Sequence, residues 1–182
     1  MIQFRKLVEA DLDMVLRWRT MPEITKYMTT DIEFDMEAQR TWYQKEVKIH
    51  NPTQHWIICH NHHPVGVFSL ANYNYQSGQT SVGYYLGDLD SWSLGGIVPP
   101  YFYNYMFFQR DPHLKRIIGE AFCLNSKVIQ MHLMHGWMVT ATMKNYVVKH
   151  GQGFDVSLLE LTRESWVAQQ VRFGAYLADF EE

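Results

Sequence analysis

The stretch LNSKVIQMHLMHGW, residues 124–137, reads as one element with both ends marked. Asn125 stands at an N-cap, where a short polar side chain can accept a backbone N–H of the first turn. Ser126 to His135 form the helix, and Gly136 supplies the left-handed residue that closes it. Directly upstream, KRIIGEAFCL (115–124) reads as a strand. A strand feeding a capped helix that ends on glycine and an aromatic is a piece of α/β architecture, and the remaining chain falls into order around it.

Upstream, QHWIICH (54–60), the turn NHHP (61–64) and VGVFSLANYNY (65–75) read as two antiparallel strands; QSGQ (76–79) then turns into a third, TSVGYYLG (80–87). The segment DLDSWSLGGIVPPYFYNYMFFQRD (88–111) carries the pair Gly95-Gly96, two prolines and an apolar helical stretch. Proline is tolerated in a first helical turn because its missing N–H has no partner there. Nearer the start, Ile2 to Leu7 alternate as a half-buried strand, and Ala10 to Trp18 switch to helical spacing. After a loop over Met21 to Asp31, Asp35 to Val47 form a second helix, acidic at its start and basic at its end as the helix dipole favours. Downstream, Trp137 to Val148 and Phe154 to Leu161 predict a hairpin, and Arg163 to Leu177 a terminal helix. The order is β-α-α-β-β-β-α-β-α-β-β, an α/β (α+β) domain with a mostly antiparallel mixed sheet flanked by helices.

Composition narrows what such a domain does. The chain has 182 residues and no Pro/Gly/Ser-rich linker, charge block or repeat, so residues 1–182 are expected to form a single domain with one principal site. The formal net charge of -3, with Lys and Arg scattered, argues against a nucleic-acid footprint. No segment approaches the ~20 apolar residues of a membrane span, and charges begin at the fifth residue, so a cytoplasmic protein is expected. Cys59 and Cys123 sit in separate apolar strands without redox or ligand spacing and read as reduced core thiols. The run His60-Asn61-His62-His63 falls in a hairpin turn before Pro64 with poor ligand spacing, and no metal site is expected there. The aromatic share of 15% is high, and core packing accounts for most of it.

The order resembles the GCN5-related N-acetyltransferase (GNAT) fold over nearly the whole chain, and three local matches carry the resemblance. FRKLVEADLDMVLRWRTMPEITKYM (4–28), with its Trp18-Arg19 pair, is similar to the start of the amino-sugar and ribosomal-protein acetyltransferase branches. GYYLG (83–87) followed by Gly95-Gly96 and a helix sits where the family binds its coenzyme. LNSKVIQMHLMHGW matches the family's Asn-led helix. The overall pattern most resembles the branch acting on a UDP-linked 4-amino sugar in the pseudaminic-acid pathway.

The resemblance implies acetyl-CoA as co-substrate, held by Tyr84, Tyr85, Leu86 and Gly87 through backbone amides, by Ser93, Leu94, Gly95, Gly96, Ile97 and Val98 at the helix mouth, and by Asn125. The family's coenzyme signature begins with Arg or Gln and ends with Gly or Ala; here Ser93 and Val98 stand at those positions. The physical requirement is unpaired backbone N–H groups with little side-chain bulk, so that a pyrophosphate can approach, and Gly95-Gly96 meet it. Alternatively, the two glycines make only a tight turn.

Acetyl transfer from a thioester needs a neutral amine, stabilisation of an oxyanion and a proton for the departing thiolate. The family's acid is a tyrosine on the Asn-led helix, and the matching position is His132. An imidazolium near its reference pKa of ~6.5 would protonate a thiolate near ~8.5 downhill, although only about a quarter of such imidazoles is charged at pH 7. Packing or hydrogen bonding alone is the competing role. The glutamate that relatives carry before the coenzyme-strand glycine is missing from Ser81-Val82-Gly83, which leaves the base open among water, backbone carbonyls and polar groups near Asn72 to Tyr75. Trp18, Arg19, Tyr27, Met28 and Tyr73 are the expected acceptor-site residues, with Arg19 suited to a phosphate or carboxylate.

The expected function is acetylation of a primary amine of a small metabolite, a nucleotide-linked amino sugar, with a protein amine, polyamine or aminoglycoside as alternatives. Asp31, Glu33, Asp35 and Glu37 keep a polycation open. A second class is a non-catalytic acyl-CoA-binding domain, which the changes at Ser81, Ser93, Val98 and His132 mildly favour. The terminal helix, with Trp166, Val167, Val171, Phe173 and Leu177, covers the domain or a homodimer partner.

Overall fold

The computed structural model describes residues 1–48 and 53–181. Its centre is an eight-stranded sheet in the order β6-β7-β5-β4-β3-β2-β1-β8. The strands are β1 (Ile2–Lys6), β2 (Gln54–His60), β3 (His63–Asn74), β4 (Gln79–Leu86), β5 (Arg116–Phe122), β6 (Met138–Lys149), β7 (Gln152–Thr162) and β8 (Asp179–Phe180). Only β4 with β5 and β1 with β8 run parallel; the other neighbours are antiparallel.

Alternation along these strands sorts their side chains onto two faces. On one face Phe4, Trp56, Phe68, Tyr84, Ile117 and Leu159 pack under α4 (Val98–Asn104), α5 (Ser126–Met134), α6 (Arg163–Ala168) and α7 (Gln170–Phe173), with Phe68 and Phe102 stacked at 3.6 Å. The other face, with Ile57, Cys59, Val67 and Tyr85, lies under α1 (Leu12–Thr20) and α3 (Met36–Tyr43). A single turn, α2 (Pro22–Thr25), interrupts the expected loop between them. Asp35 caps α3 by accepting from the N–H groups of Glu37 and Ala38, as its place before the helix predicts.

Three further elements depart from the sequence reading. The stretch Leu89–Gly96 coils into a 3-10 segment, so the glycine pair ends one helical piece before α4 begins another. Asn125 occupies the N-cap of α5, yet its side chain makes no cap hydrogen bond. The expected terminal helix breaks into α6 and α7, and the chain then returns as β8 beside β1. Phe180 explains that return: its ring stacks on Phe4 at 4.1 Å and on Tyr105 at 3.8 Å. An amphipathic pattern through Leu177 does not announce a pocket made from β1, β2 and α4.

At the His60–His63 hairpin, Asn61 and His62 both take left-handed φ values, +50° and +68°, the geometry of a tight two-residue turn between twisted strands. Cys59 is buried and Cys123 half-buried, both as free thiols.

Candidate functional site

The parallel pair β4/β5 holds for three rungs only, Gln79 with Arg116, Thr80 with Ile117 and Ser81 with Ile118. Beyond Ser81 the strands part. Val82 to Leu86 stay paired with β3, and Gly119 to Phe122 with β7, so each keeps one edge that no strand of the sheet covers. Backbone donors and acceptors along such an edge need partners, and a ligand with amide groups can supply them. The gap opens through the sheet between its two faces.

On the face of α4 and α5 the Gly95-Gly96 turn stands at the gap's mouth. The Tyr84 hydroxyl donates to the Gly95 carbonyl at 2.8 Å, and Met131 Sδ lies 3.1 Å from the Tyr84 hydroxyl oxygen. Burial pushes this phenol far above its ordinary pKa, so it is a structural anchor of the turn. Neither glycine has positive φ, and a Cβ added at Gly95 or Gly96 would meet nothing nearer than 4.0 Å and 3.8 Å respectively. Nothing inside the protein therefore demands glycine at these two positions; what their bareness preserves is approachable backbone, which fits an anionic ligand. The Ile97 N–H is spent on the Leu94 carbonyl at 2.8 Å, and Pro99 and Pro100 carry none. Donors at the start of α4 thus reduce to Val98, whose side chain is fully buried in the core, with the glycine backbone upstream. Ser93 and Ile97 are exposed beside the turn, and Leu94 packs on the core.

Along β4 the expectation for Gly87 needs correcting. Its N–H donates to the Val65 carbonyl at 2.9 Å, so it is no free amide. The residue is glycine for a different reason: a Cβ there would lie 2.0 Å from Cδ2 of Trp18. Leu86 likewise has its carbonyl taken by the Trp92 indole N–H at 3.0 Å.

His132 is buried on α5, with its ring 4.7 Å from that of Trp137 and its Nδ1 without a partner. Burial, with the neighbouring His135, pushes it down to about 4. It is neutral at pH 7, not the partly charged imidazolium that its reference pKa suggests. His135, pushed down by burial to about 4, turns toward the Gly96 carbonyl.

The opposite face carries the other half of the site. Trp18 lies against Gly87, and Arg19 sits close enough to Tyr85 to act on its charge. Arg19 Nη2 donates to the Thr30 carbonyl at 3.2 Å, while Nη1 is buried with no partner. Burial lowers the guanidinium pKa, as expected for a cation short of counter-charge. Tyr27 is partly exposed under Lys26, and the Met28 carbonyl is tied to Lys149. Tyr73 does not join this group. It packs on the α4 face at the closed end of β3/β4, where a bulge shifts the register between Ala71 and Asn74. Asn125 is half-buried, and its side chain makes no cap hydrogen bond.

Sequence reasoning missed Lys149 and Tyr84 as an anchor: Lys149 ends β6 at a hairpin tip and Tyr84 sits in an aromatic run, and neither position carries a local signal.

A family model, Acetyltransferase (GNAT) domain, matches residues 2–138. Among solved structures, spermidine N-acetyltransferase from Vibrio cholerae in complex with CoA and spermine superposes with a TM-score of 0.81 at 14% identity, covering 91% of this chain and 98% of that one. A chimera of that enzyme, SpeG, with hSSAT superposes with a TM-score of 0.77 at 14% identity over 92% of this chain and 98% of that one. At such identity the likeness is one of fold. No curated protein sequence matches the chain.

Proposed function

The chain belongs to the GNAT acetyltransferase family, and on that footing we propose that it moves the acetyl group of acetyl-CoA to a primary amine of a small metabolite, carried on an anionic group such as the diphosphate of a nucleotide-linked amino sugar. One observation carries the reading: the β4/β5 gap joins the bare Gly95-Gly96 turn on one face to Trp18, Arg19 and Tyr85 on the other. A thioester laid along the free edge of β4 would face an amine held on the α1 side, and backbone amides of that edge would meet the developing oxyanion. Acetyl-CoA supplies the activated acyl group; the protein supplies alignment, the oxyanion contacts and a site screened from bulk water. With the Gly87 N–H and Leu86 carbonyl already engaged, and the Tyr85 backbone turned to β3, the contacts fall to the Tyr84 backbone and the Leu86 N–H, which corrects the expectation for Tyr85. His132, neutral and buried, can pass a proton by hydrogen bonding but does not donate as a standing imidazolium.

The anionic carrier rests on Arg19, whose unpaired buried Nη1 lacks an acceptor that a phosphate or carboxylate would supply. A polyamine is the second reading, favoured by the spermidine acetyltransferases among the structural neighbours. Against it, two of the four acidic groups after α2 are already engaged: Asp31 with Lys149 and His150, and Asp35 on the α3 cap. Glu33 and Glu37 remain exposed.

Acetyl-CoA at a hundred times its dissociation constant should stabilise the fold by about 2.7 kcal/mol. A saturable thermal shift followed by thiol release with a UDP-linked 4-amino sugar supports the proposal. Thiol release with spermidine alone replaces the acceptor, and a shift without turnover on either replaces transfer with binding.

A further inference from the structure

We infer that Glu120 is the general base that removes the proton from the acceptor amine, an inference that rests on the acetyl-transfer reading above. The glutamate that relatives place on β4 is absent, and β4 offers Ser81, Val82 and Gly83 there. The neighbouring strand fills the vacancy. On β5, Ile117 and Ala121 join the core beneath α4 and α5, and a Cβ at Gly119 would meet Trp137 on that side. Alternation then sends Ile118 and Glu120 to the other face, the face of Trp18, Arg19 and Tyr85. Glu120 is exposed.

Its height along the gap is set by register. Ser81 and Ile118 form the last rung, so Glu120 stands two residues beyond it, about 6–7 Å into the open part, level with Gly83 across the gap. Gly83 leaves room for it: a Cβ built there, on this same face, has nothing within 4 Å. The next residues of β4 are Tyr84 and Tyr85, whose edge is to hold the thioester. A carboxylate one residue behind that edge, on the acceptor face, reaches an attacking amine directly or through one water.

Glu160, which shares this face on β7, pairs with Arg116 at 3.1 Å, and Asp31 pairs with Lys149 at 2.6 Å, while Glu33 and Glu37 are exposed on the segment around the start of α3. Among the described residues Glu120 has no hydrogen bond or ion pair of its own, and its directly opposed neighbour on β7 is Leu158. The negative charge is thus free to attract an ammonium and accept its proton.

The step balances. The ammonium R–NH3+ gives one proton to the Glu120 carboxylate, and the nitrogen lone pair then forms the C–N bond to the thioester carbon while the carbonyl electrons move to oxygen. Their return breaks the C–S bond and expels the thiolate of CoA. The thiolate takes up the second proton leaving nitrogen, and Glu120 returns its proton to water.

The test is kcat and KM from pH 6 to 9 for wild type and Glu120→Gln, with whichever of a UDP-linked 4-amino sugar or spermidine the wild type acetylates. The side chain is exposed, so melting temperature and the acetyl-CoA thermal shift should not change. The expected result is a fall in kcat of about 100-fold or more at pH 7, narrowing as pH rises and free amine becomes available, with Glu120→Asp partly active. A kcat within threefold of wild type overturns the base alone. So does a loss confined to amine KM, or one equal at every pH, either of which makes Glu120 a binding residue. A wild type that shifts with acetyl-CoA but acetylates no amine overturns the transfer reading, and the base with it.

Discussion

Lys149, at the tip of the β6–β7 hairpin, holds Asp31 in the loop after α2 at 2.6 Å, and its ammonium also donates to the carbonyls of Thr25 at 2.9 Å and Met28 at 3.0 Å. One nearly buried cation therefore organises the segment that presents Tyr27 and Met28, and ties it to the strands on the far side of the gap. His150 adds a second contact to Asp31 at 2.9 Å.

Replacing Lys149 by methionine leaves two carbonyls and a carboxylate without their shared donor. The amine KM should rise about tenfold, equivalent to roughly 1.4 kcal/mol, with KM for acetyl-CoA unchanged. Lys149→Arg should recover part of the loss. The Lys149–Asp31 pair should not respond to pH near neutrality. Hydrogen bonding by Lys149 holds the Asp31 carboxyl below its ordinary value. Its contribution is therefore complete above the unfolded value of ~3.9 and disappears only as pH falls through the lower folded one. Amine KM measured from pH 5 to 8 should show no step from this pair.

Arg19→Gln removes the cation whose Nη1 lacks a partner. For an acceptor carrying a diphosphate the expected loss is roughly 10- to 100-fold in KM, the range of one charged hydrogen bond of ~1.5–3 kcal/mol. With spermidine the same substitution should leave KM unchanged or lower it. Steady-state kinetics on both amines separates the two readings of the pocket.

Acid should unfold this protein early. Burial pushes His132 and His135 down to about 4, while unfolded histidine titrates near ~6.5. Between these values the unfolded chain binds more protons than the folded one, so stability rises with pH there and falls as pH drops below about 6.5. Each histidine contributes at most about 1.4 kcal/mol per pH unit. Urea midpoints at pH 7.5 and 5 should differ clearly, and His132→Phe should reduce the difference. In activity assays no limb near pH 6.5 should be assignable to His132.

Gly87→Ala drives a methyl into the Trp18 indole, the added Cβ lying 2.0 Å from Cδ2. Overpacking of this kind typically costs about 1–3 kcal/mol, and the displaced indole belongs to the acceptor side. The melting temperature should fall and amine KM rise. Gly83→Ala, with nothing within 4 Å of its Cβ, should leave stability unchanged and serves as the control.

Phe180→Ala empties the aromatic slot between Phe4, Tyr105 and Trp56. The ring is half-buried, so the expected loss is roughly 2 kcal/mol, below the ~3–5 of a fully buried phenylalanine. Truncation before Asp179 should cost more, since it also removes the Glu181 carbonyl that accepts from the Trp56 indole at 2.9 Å. Thermal melts of both variants give the comparison.

The amino-acid sequence by itself determined the elements whose causes are local. The apolar strand runs at Gln54–His60 and Gln79–Leu86, the helix closed by the left-handed Gly136 and the tight turn at Asn61-His62 follow from apolar patterning, the glycine C-cap and turn conformation. The resemblance to the family, resting on Trp18-Arg19, the glycine pair and the Asn-led helix, was legible for the same reason. Tertiary structure alone decided where β4 and β5 part, because a strand does not record how many rungs its neighbour will share. The same holds for which glycine serves which purpose: Gly87 accommodates an indole from a helix far upstream, while Gly95 and Gly96 accommodate nothing within the chain. His132 matched the family position, but its charge depended on Trp137, His135 and the exclusion of water around them. The parts of the site written between distant residues, Lys149 to Asp31 and Glu120 opposite Gly83, depended on sheet order and strand register, long-range quantities that no local window contains.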